Sequence, residues 1–270
     1  QNVKTLVMRG VHVVTPVSGH LACGDSGAGK LEDVEVIARR AEEVLCAKRD
    51  LEGLRVLVTA GPSREALDPV RYISNRSSGK MGYSIAENAA KRGAKVTLLS
   101  GPVSLDAPKG VDIVPFLTTQ ELLDHALELV DEQDIIIQAA APADYRAQEI
   151  APQKIKKQSG EPMTLTLVEN PDVAATIGQK KKASQVFVGF AAETNDVIEH
   201  AQGKLMRKNL DMIVANDVTR PGAGFDVDTN IVTLISQGGV KALPLMSKAD
   251  VAGHILDYAF ELYLEKTNAQ

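Results

Sequence analysis

Residues 54–61, LRVLVTAG, form a continuous apolar and β-branched run that ends in glycine. MGYSIAENAAKRG (81–93) follows, with apolar residues at helical spacing up to a glycine suited to close a helix, and then a second apolar run, AKVTLLSG (94–101). Strands apolar on both faces must be covered on both faces, which calls for crossover helices and a parallel sheet. The alternation continues with a helix over 118–130 (TTQELLDHALELV, capped by Thr118 or Thr119), strands at DIIIQAAA (134–141) and QVFVGFAAE (185–193), a helix around 195–209 and a strand at LDMIVAND (210–217). NIVTLISQGGVKALPLMS (230–247) reads as a hairpin turning at Gln237-Gly238-Gly239, with a terminal helix from Lys248. The expected class is α/β: a Rossmann-like, mostly parallel sheet with helices on both faces, right-handed crossovers and a C-terminal β-hairpin.

The opening of the chain follows another pattern. VHVVT (11–15) reads as a strand, a glycine-rich stretch follows, and LEDVEVIARRAEEVLCAK (31–48) has helical spacing with acidic residues early and basic ones late. One strand and one helix cannot close a core. Residues 1–50 are therefore expected to be the tail of a larger unit or an appendage, and residues 51–270 the main domain.

Several function classes are excluded by composition. No apolar run approaches the roughly 18 residues of a membrane-spanning helix, and nothing at the start has the shape of a signal peptide. With only two cysteines, Cys23 and Cys46, a disulfide framework is not expected, and a reducing cytoplasm is the simpler location. A net charge of -5 argues against a nucleic-acid partner, so any phosphate site must be built locally.

In an open parallel sheet, ligands bind beyond the carboxyl ends of the strands, here the loops 60–82, 139–158, 190–196 and 215–226. SNRSSGKMG (74–82) is the first to suggest a ligand, because clustered Ser and Gly let backbone N–H groups converge on an anion beside a helix N-terminus. Three nucleotide-site readings compete. GDSGAGKL (24–31) meets a P-loop pattern until Leu31, which removes the Mg²⁺-binding hydroxyl. A dinucleotide dehydrogenase would need Gly-x-Gly-x-x-Gly after VLVTAG and an acidic residue ending the second strand; both are missing. An unusual phosphate or nucleotide site, with an insertion between first strand and helix, agrees with the long loop GPSREALDPVRYISNRSSGKMG.

TAGPSREALDPVRYISNRSSGKMG, AAAPADYR with KIKK soon after, ENPD, VGFAAET and KNLDMIVAND, in this order, resemble the phosphopantothenate-cysteine ligase domain of the bacterial bifunctional coenzyme A biosynthesis protein. The resemblance runs from about residue 51 to the C-terminus. The first 50 residues resemble the end of that protein's flavin-dependent decarboxylase half, with ACGDSGAGKL as its substrate-clamp segment and Cys23 at the proton-donor position. FMN would belong to a decarboxylase half of which only this tail is present, so Cys23 is expected to be idle here.

What the resemblance implies is a two-step ligation. The carboxylate of 4'-phosphopantothenate attacks the α-phosphate of CTP, releasing pyrophosphate, and the amine of L-cysteine then attacks the acyl-cytidylate and releases CMP. By the same resemblance Asn75 and Lys154 are catalytic, Asn75 orienting the acyl group and Lys154 serving acyl-cytidylate formation. Ala140, Ala141, Asp144, Asn170, Pro171, Asp172, Phe190, Lys204 and Lys208 hold CTP. Arg71, Ser77, Gly79, Gly82 and Asn216 hold phosphopantothenate, with Arg71 reaching a phosphate across a dimer interface. Mg²⁺ is expected with the triphosphate, Asp144 being its candidate ligand, and the ligase domain is expected to form a homodimer. An ATP-using form of the ligase and a nucleotide-binding module without turnover are the alternatives; DYR, KIKK and the pair Lys204 and Lys208 favour CTP, with base choice resting on backbone contacts.

Overall fold

A computed structural model describes the chain except for residues 1, 10, 21–25, 46–47, 158–159, 161, 194–196, 218–223, 225 and 269–270. The chain divides into two units, Gln1–Arg49 and Asp50–Gln270.

The first unit contains a helix over Asn2–Met8, an antiparallel pair of strands, Val17–His20 with Ser26–Lys30, and a helix over Val34–Leu45. The strand expected at 11–15 is thus displaced to Val17–His20. A β-branched run becomes a strand only where a partner supplies the ladder, and the partner here is in register with Val17 to His20. Ser26–Lys30, part of the P-loop lookalike, is itself that partner strand and leads into no phosphate-binding turn of the P-loop kind. The helix expected over 31–48 starts later, at Val34, because Asp33 Oδ1 accepts from the Glu35 N–H (2.9 Å) and sets its start. Cys23 lies outside the described residues.

The second unit is built on an eight-stranded sheet. Its strands are β1 (Arg55–Ala60), β2 (Lys95–Ser100), β3 (Val111–Pro115), β4 (Ile135–Gln138), β5 (Val186–Glu193), β6 (Met212–Asp217), β7 (Val232–Ser236) and β8 (Gly239–Ala242). Their spatial order is 8-7-6-5-4-1-2-3. The six strands β1 to β6 are parallel, whereas β7 and β8 form the antiparallel C-terminal hairpin. The expected Rossmann-like class therefore holds. β3 was not anticipated: VDIVP is short, carries Asp112, and lies at the sheet edge, where a half-exposed strand needs little apolar sequence.

Helices α1 (Lys80–Lys91), α2 (Thr119–Leu129), α3 (Val173–Lys180), α4 (Val197–Arg207) and α5 (Lys248–Asn268) cover the sheet. Because side chains alternate along a strand, Val56, Val58, Ile135 and Ile137 pack on one face with Ile85 of α1 and Ile255 of α5. Leu57, Ile136 and Phe187 pack on the other with Leu122 of α2, Ile177 of α3 and Leu205 of α4. Each such fully buried side chain stabilises the fold by about 1.5–3 kcal/mol. No helix among the described residues is long and apolar enough to cross a membrane.

β1 sits between β2 and β4, so the chain leaves it in one direction across the sheet and returns to build in the other. Such a reversal splays the loops that follow the two adjacent strands and opens a crevice at their carboxyl ends. The loops after β1 and β4 meet there, joined by a bridge between Pro62 and Ala141.

Candidate active site

The segment after β4 is stitched to the loop after β1. Ala139 N–H donates to the Thr59 carbonyl (3.2 Å), Ala140 N–H to Thr59 Oγ1 (3.1 Å), Ala141 N–H to the Gly61 carbonyl (2.9 Å) and Ala143 N–H to Ser63 Oγ (2.9 Å). Small side chains suit a backbone used this heavily. Beneath it lies a buried polar cluster. Thr119 N–H and Oγ1 both reach Glu65 Oε1 (2.9 and 2.8 Å), Thr119 Oγ1 lies 3.0 Å from Ser63 Oγ, and Asn170 Nδ2 donates to the Ala143 carbonyl (2.8 Å). One cluster thereby ties the loop after β1, the loop after β4, the start of α2 and the approach to α3.

Two clefts open on this scaffold. The first, of about 440 Å³, is lined by Ala140, Asp144, Asn170, Pro171, Asp172, Phe190, Lys204 and Lys208, eight of the nine residues expected to hold the nucleotide. The second, of about 370 Å³, is lined by Ser77, Gly79, Gly82 and Asn216, expected to hold phosphopantothenate, and by Ala141, expected at the nucleotide. Asn75, Ala140 and Phe190 line both clefts and form their common wall. Asn75 Nδ2 donates to the Pro142 carbonyl (2.9 Å), which fixes the side chain on that wall.

The first cleft has a charged mouth. Asp172 caps α3, accepting from Ala175 N–H (3.0 Å), and pairs with Lys208 Nζ (2.9 Å). Burial alone would raise its pKa, but the Ala175 N–H and the Lys208 ammonium outweigh that and hold it below the usual carboxylate value. Lys208 N–H bonds to the Lys204 carbonyl (3.0 Å), so the helical turn continues and both ammonium groups rise on one face of α4.

In the second cleft the chain enters α1 through Gly79, whose φ of 76° is one a side chain disfavours, and no side chain caps the helix. Gly82 packs α1 on β1: a Cβ there would lie 2.5 Å from Ala60 Cβ and 2.9 Å from the Thr59 carbonyl oxygen. Two lysines face this cleft. Lys80 Nζ donates to Asp228 Oδ1 and to the Asp226 carbonyl, both at 2.7 Å, while buried Lys248 donates to the carbonyls of Gly224 and Val227. Burial, and secondarily the like charge of Lys80, push the Lys248 pKa down against the opposing pull of Asp228 and Asp226.

Arg71 and Lys154 line neither cleft. Arg71 Nη1 bonds to the Ile155 carbonyl (3.1 Å) and lies 3.4 Å from Asp68 Oδ2, while Ile155 N–H donates to the same carboxylate oxygen (3.1 Å). Both cations therefore belong to a pair of loops pinned through Asp68, with Lys154 exposed. Among the described residues no group of three or more His, Cys, Asp or Glu could hold a metal ion. Asp144 is an exposed single carboxylate beside the first cleft, which suits an ion held mainly by phosphate oxygens.

Ser63, Glu65, Thr119, Gln138 and Lys248 were not anticipated. Their signal in the sequence is weak: nothing local sets Glu65 or Lys248 apart from any other charged residue, and Gln138 is distinguished only as the polar residue closing DIIIQ.

Residues 51–262 match the family described as DNA/pantothenate metabolism flavoprotein C-terminal domain. The chain is 48% identical over 263 residues to the coenzyme A biosynthesis bifunctional protein CoaBC of Haemophilus influenzae and 47% over 260 residues to that of Bacillus subtilis, covering 97% and 95% of this chain. It spans 65% and 64% of the length of those two relatives. A crystal structure of the C-terminal domain of coenzyme A biosynthesis bifunctional protein CoaBC aligns with a TM-score of 0.69 at 39% identity, covering 81% of this chain and all of that one. A Cab2 mutant crystallised with phosphopantothenate-cysteine shares the fold, with a TM-score of 0.68 at 15% identity over 89% of this chain and 96% of that one. By the match over residues 51–262, the chain belongs to the DNA/pantothenate metabolism flavoprotein C-terminal domain family.

Proposed function

We propose that the unit Asp50–Gln270 acts in coenzyme A biosynthesis, ligating 4'-phosphopantothenate to L-cysteine with CTP as co-substrate through an acyl-cytidylate. The observation that carries this reading is the common wall. A carboxylate attacking an α-phosphate requires two bound anions in contact at one point and apart elsewhere. Two clefts that share Asn75, Ala140 and Phe190 and diverge beyond them have that form.

In this reading the first cleft takes CTP, with Lys204 and Lys208 at its polyphosphate and the N-terminus of α3 beside it. Phosphopantothenate lies in the second cleft, its phosphate near the start of α1, Ser77 and Gly79. Mg²⁺, held by phosphate oxygens with Asp144 as a protein ligand, would supply charge neutralisation when bound. Asn75 spends one of its two amide N–H groups on Pro142 and has the second for the acyl oxygen, where negative charge develops as the cysteine amine attacks. Phe190 walls off the reacting carbonyl from the sheet side and limits hydrolysis of the intermediate. Lys154 reaches the triphosphate from its exposed loop, and Arg71 serves the second cleft of a partner copy in a homodimer.

The test is pyrophosphate release from CTP and Mg²⁺, with and without phosphopantothenate and cysteine, in the wild type and Asn75→Ala. Release that requires phosphopantothenate, with the acyl-cytidylate accumulating in the variant, is expected. CTP binding without phosphopantothenate-dependent release would leave a nucleotide-binding module and refute the ligase.

A further inference from the structure

β4 consists of Ile135, Ile136 and Ile137, all fully buried, and then Gln138, which is 7% exposed. By strand alternation the Gln138 side chain leaves the sheet on the face of Ile136, toward α2, α3 and α4. It lies at the inner end of the first cleft, and its Oε1 is buried with no hydrogen-bond partner among the described residues. More than nine in ten buried polar groups in folded proteins are partnered, so an unpartnered acceptor on the wall of a cleft is a place where a ligand can bring the donor.

The surroundings narrow the donor. Gln138 is flanked in the sheet by Thr59 and Gly189. Gly189 lets the Leu210 side chain pack close to the strand, since a Cβ there would lie 2.7 Å from Leu210 Cδ1 and push it aside. Val173, Ala174, Leu210 and Ile213 are buried and complete an apolar inner end, whereas Lys204 and Lys208 are half-exposed and stand nearer the mouth. Phosphate oxygens, being acceptors, are repelled by Oε1 and attracted to the mouth. The end of the ligand that reaches Gln138 is therefore flat, apolar on its faces and carries an N–H donor on its edge. A nucleobase with an exocyclic amino group has this chemistry, and a carboxamide can turn about its last torsion to meet it without moving the strand.

We propose that Gln138 reads the base, accepting a hydrogen bond from the 4-amino group of cytosine; this rests on the reading of the first cleft as the CTP site. Its role is to bind the base edge, and it touches no reacting atom.

The experiment measures dissociation constants by calorimetry for CTP, UTP, 2'-deoxy-CTP and the triphosphate of the 2-pyrimidinone riboside, which carries only hydrogen at C4. Wild type, Gln138→Leu and Gln138→Met are compared. Wild type is expected to bind CTP on the order of tenfold or more tighter than the C4-unsubstituted analogue, the effect of one missing hydrogen bond with a buried partner left over. In both variants the two ligands converge, through weaker CTP binding and unchanged analogue binding. 2'-Deoxy-CTP is expected to follow CTP in every protein. Both variants remove an unpartnered acceptor at similar volume, so the ligand-free melting temperature is expected to stay level or rise, which guards against misfolding as the cause. A preference for CTP that survives in both variants, or a loss confined to ligands with a 2'-hydroxyl, overturns the assignment while leaving the nucleotide cleft standing. So does a lower melting temperature with unchanged preference, the signature of a structural partner such as a buried water. Wild type that binds no nucleotide would overturn the assignment and the CTP reading together.

Discussion

Replacing Thr119 with valine tests whether the buried cluster beneath the clefts holds them in place. Thr119 is 1% exposed and Glu65 4% exposed, so neither can recover in water what it loses. The hydroxyl lies 2.8 Å from Glu65 Oε1, 3.0 Å from Ser63 Oγ and 3.4 Å from Asn170 Nδ2. Valine fills the same volume, so no cavity term enters, and the cost is electrostatic. One hydrogen bond to the Glu65 carboxyl group disappears, worth about 1.5–3 kcal/mol, and Ser63 loses a neighbour at about 1 kcal/mol. The main-chain bond from Thr119 N–H to Glu65 survives. Thr119→Val is therefore expected to destabilise by roughly 2–4 kcal/mol, a fall of roughly 4–16 °C in melting temperature for a domain of this size. Thr119→Ser keeps the hydroxyl and loses one methyl, about 1 kcal/mol. Guanidinium unfolding of the three proteins decides the matter. A valine variant as stable as wild type, or a serine variant as weak as valine, would refute the hydrogen-bond argument, the second by assigning the effect to packing. The same cluster positions Ala143 and Asn170, so Thr119→Val at a temperature where it is fully folded is also expected to bind CTP more weakly than Thr119→Ser.

Gly82→Ala is expected to destabilise by about 2–3 kcal/mol in chemical denaturation, since its Cβ would enter the backbone of β1 and an overpacked helix–sheet contact has no flexible side chain to give way. Arg92, 6% exposed, bonds Asp50 through two nitrogens (2.8 and 2.6 Å) and Asp257 through a third (3.0 Å), so Arg92→Met is expected to cost roughly 2–4 kcal/mol by removing the buried guanidinium from both carboxylates, discounted for their partial exposure. The lowered pKa of Asp172 predicts a pH dependence: its contribution is present above the unfolded carboxylate value of about 4 and is lost as pH falls through the lower folded value. Wild type and Asp172→Asn, which keeps the cap, should therefore differ in urea stability at pH 6 by no more than about 1 kcal/mol and converge as the pH is lowered below about 4; a gap that widens on acidification would contradict the Asp172–Lys208 pairing.

The parallel core was legible because its strands are nearly pure Val, Ile and Leu and its helices keep their period. Other parts of the fold were not, and three of them show why. β3 pairs along one side only and so carries no continuous apolar run. The two-residue arms Glu65–Ala66 and Tyr72–Ile73 are shorter than any periodic signal. The strand at Val17–His20 depends on a glycine-rich partner whose composition reads as loop. At the site, motif resemblance reached the residues that face the clefts, such as Asn75, Asn170 and Lys208, and missed those that hold them. Glu65 and Thr119 meet across 54 positions of sequence, a contact that local patterns cannot show.

Charge explains why the site is divided as it is. The chain carries a net charge of -5, yet the proposed substrates together bring a triphosphate, a phosphate monoester and a carboxylate. A single cleft gathering enough cations for all of these would bury several like charges in the absence of ligand, at several kcal/mol each. Here the cations are shared between two clefts, Lys204 and Lys208 in the first and Lys80 and Lys248 in the second. Lys208 stands in the first cleft beside Asp172, and Lys80 in the second beside Asp228, so each has a carboxylate partner within 2.9 Å. A phosphate arriving at either lysine exchanges one anion for another and adds little new desolvation. The wall between the clefts, by contrast, is lined by uncharged groups, Asn75, Ala140 and Phe190. On the proposed function, a neutral wall would leave the attacking carboxylate unpaired with any lysine where it acts as a nucleophile, and would place the Asn75 amide where the later oxygen charge develops. On the proposed function, lysines in each cleft and an uncharged shared wall would be two halves of one electrostatic solution to joining a carboxylate with a triphosphate.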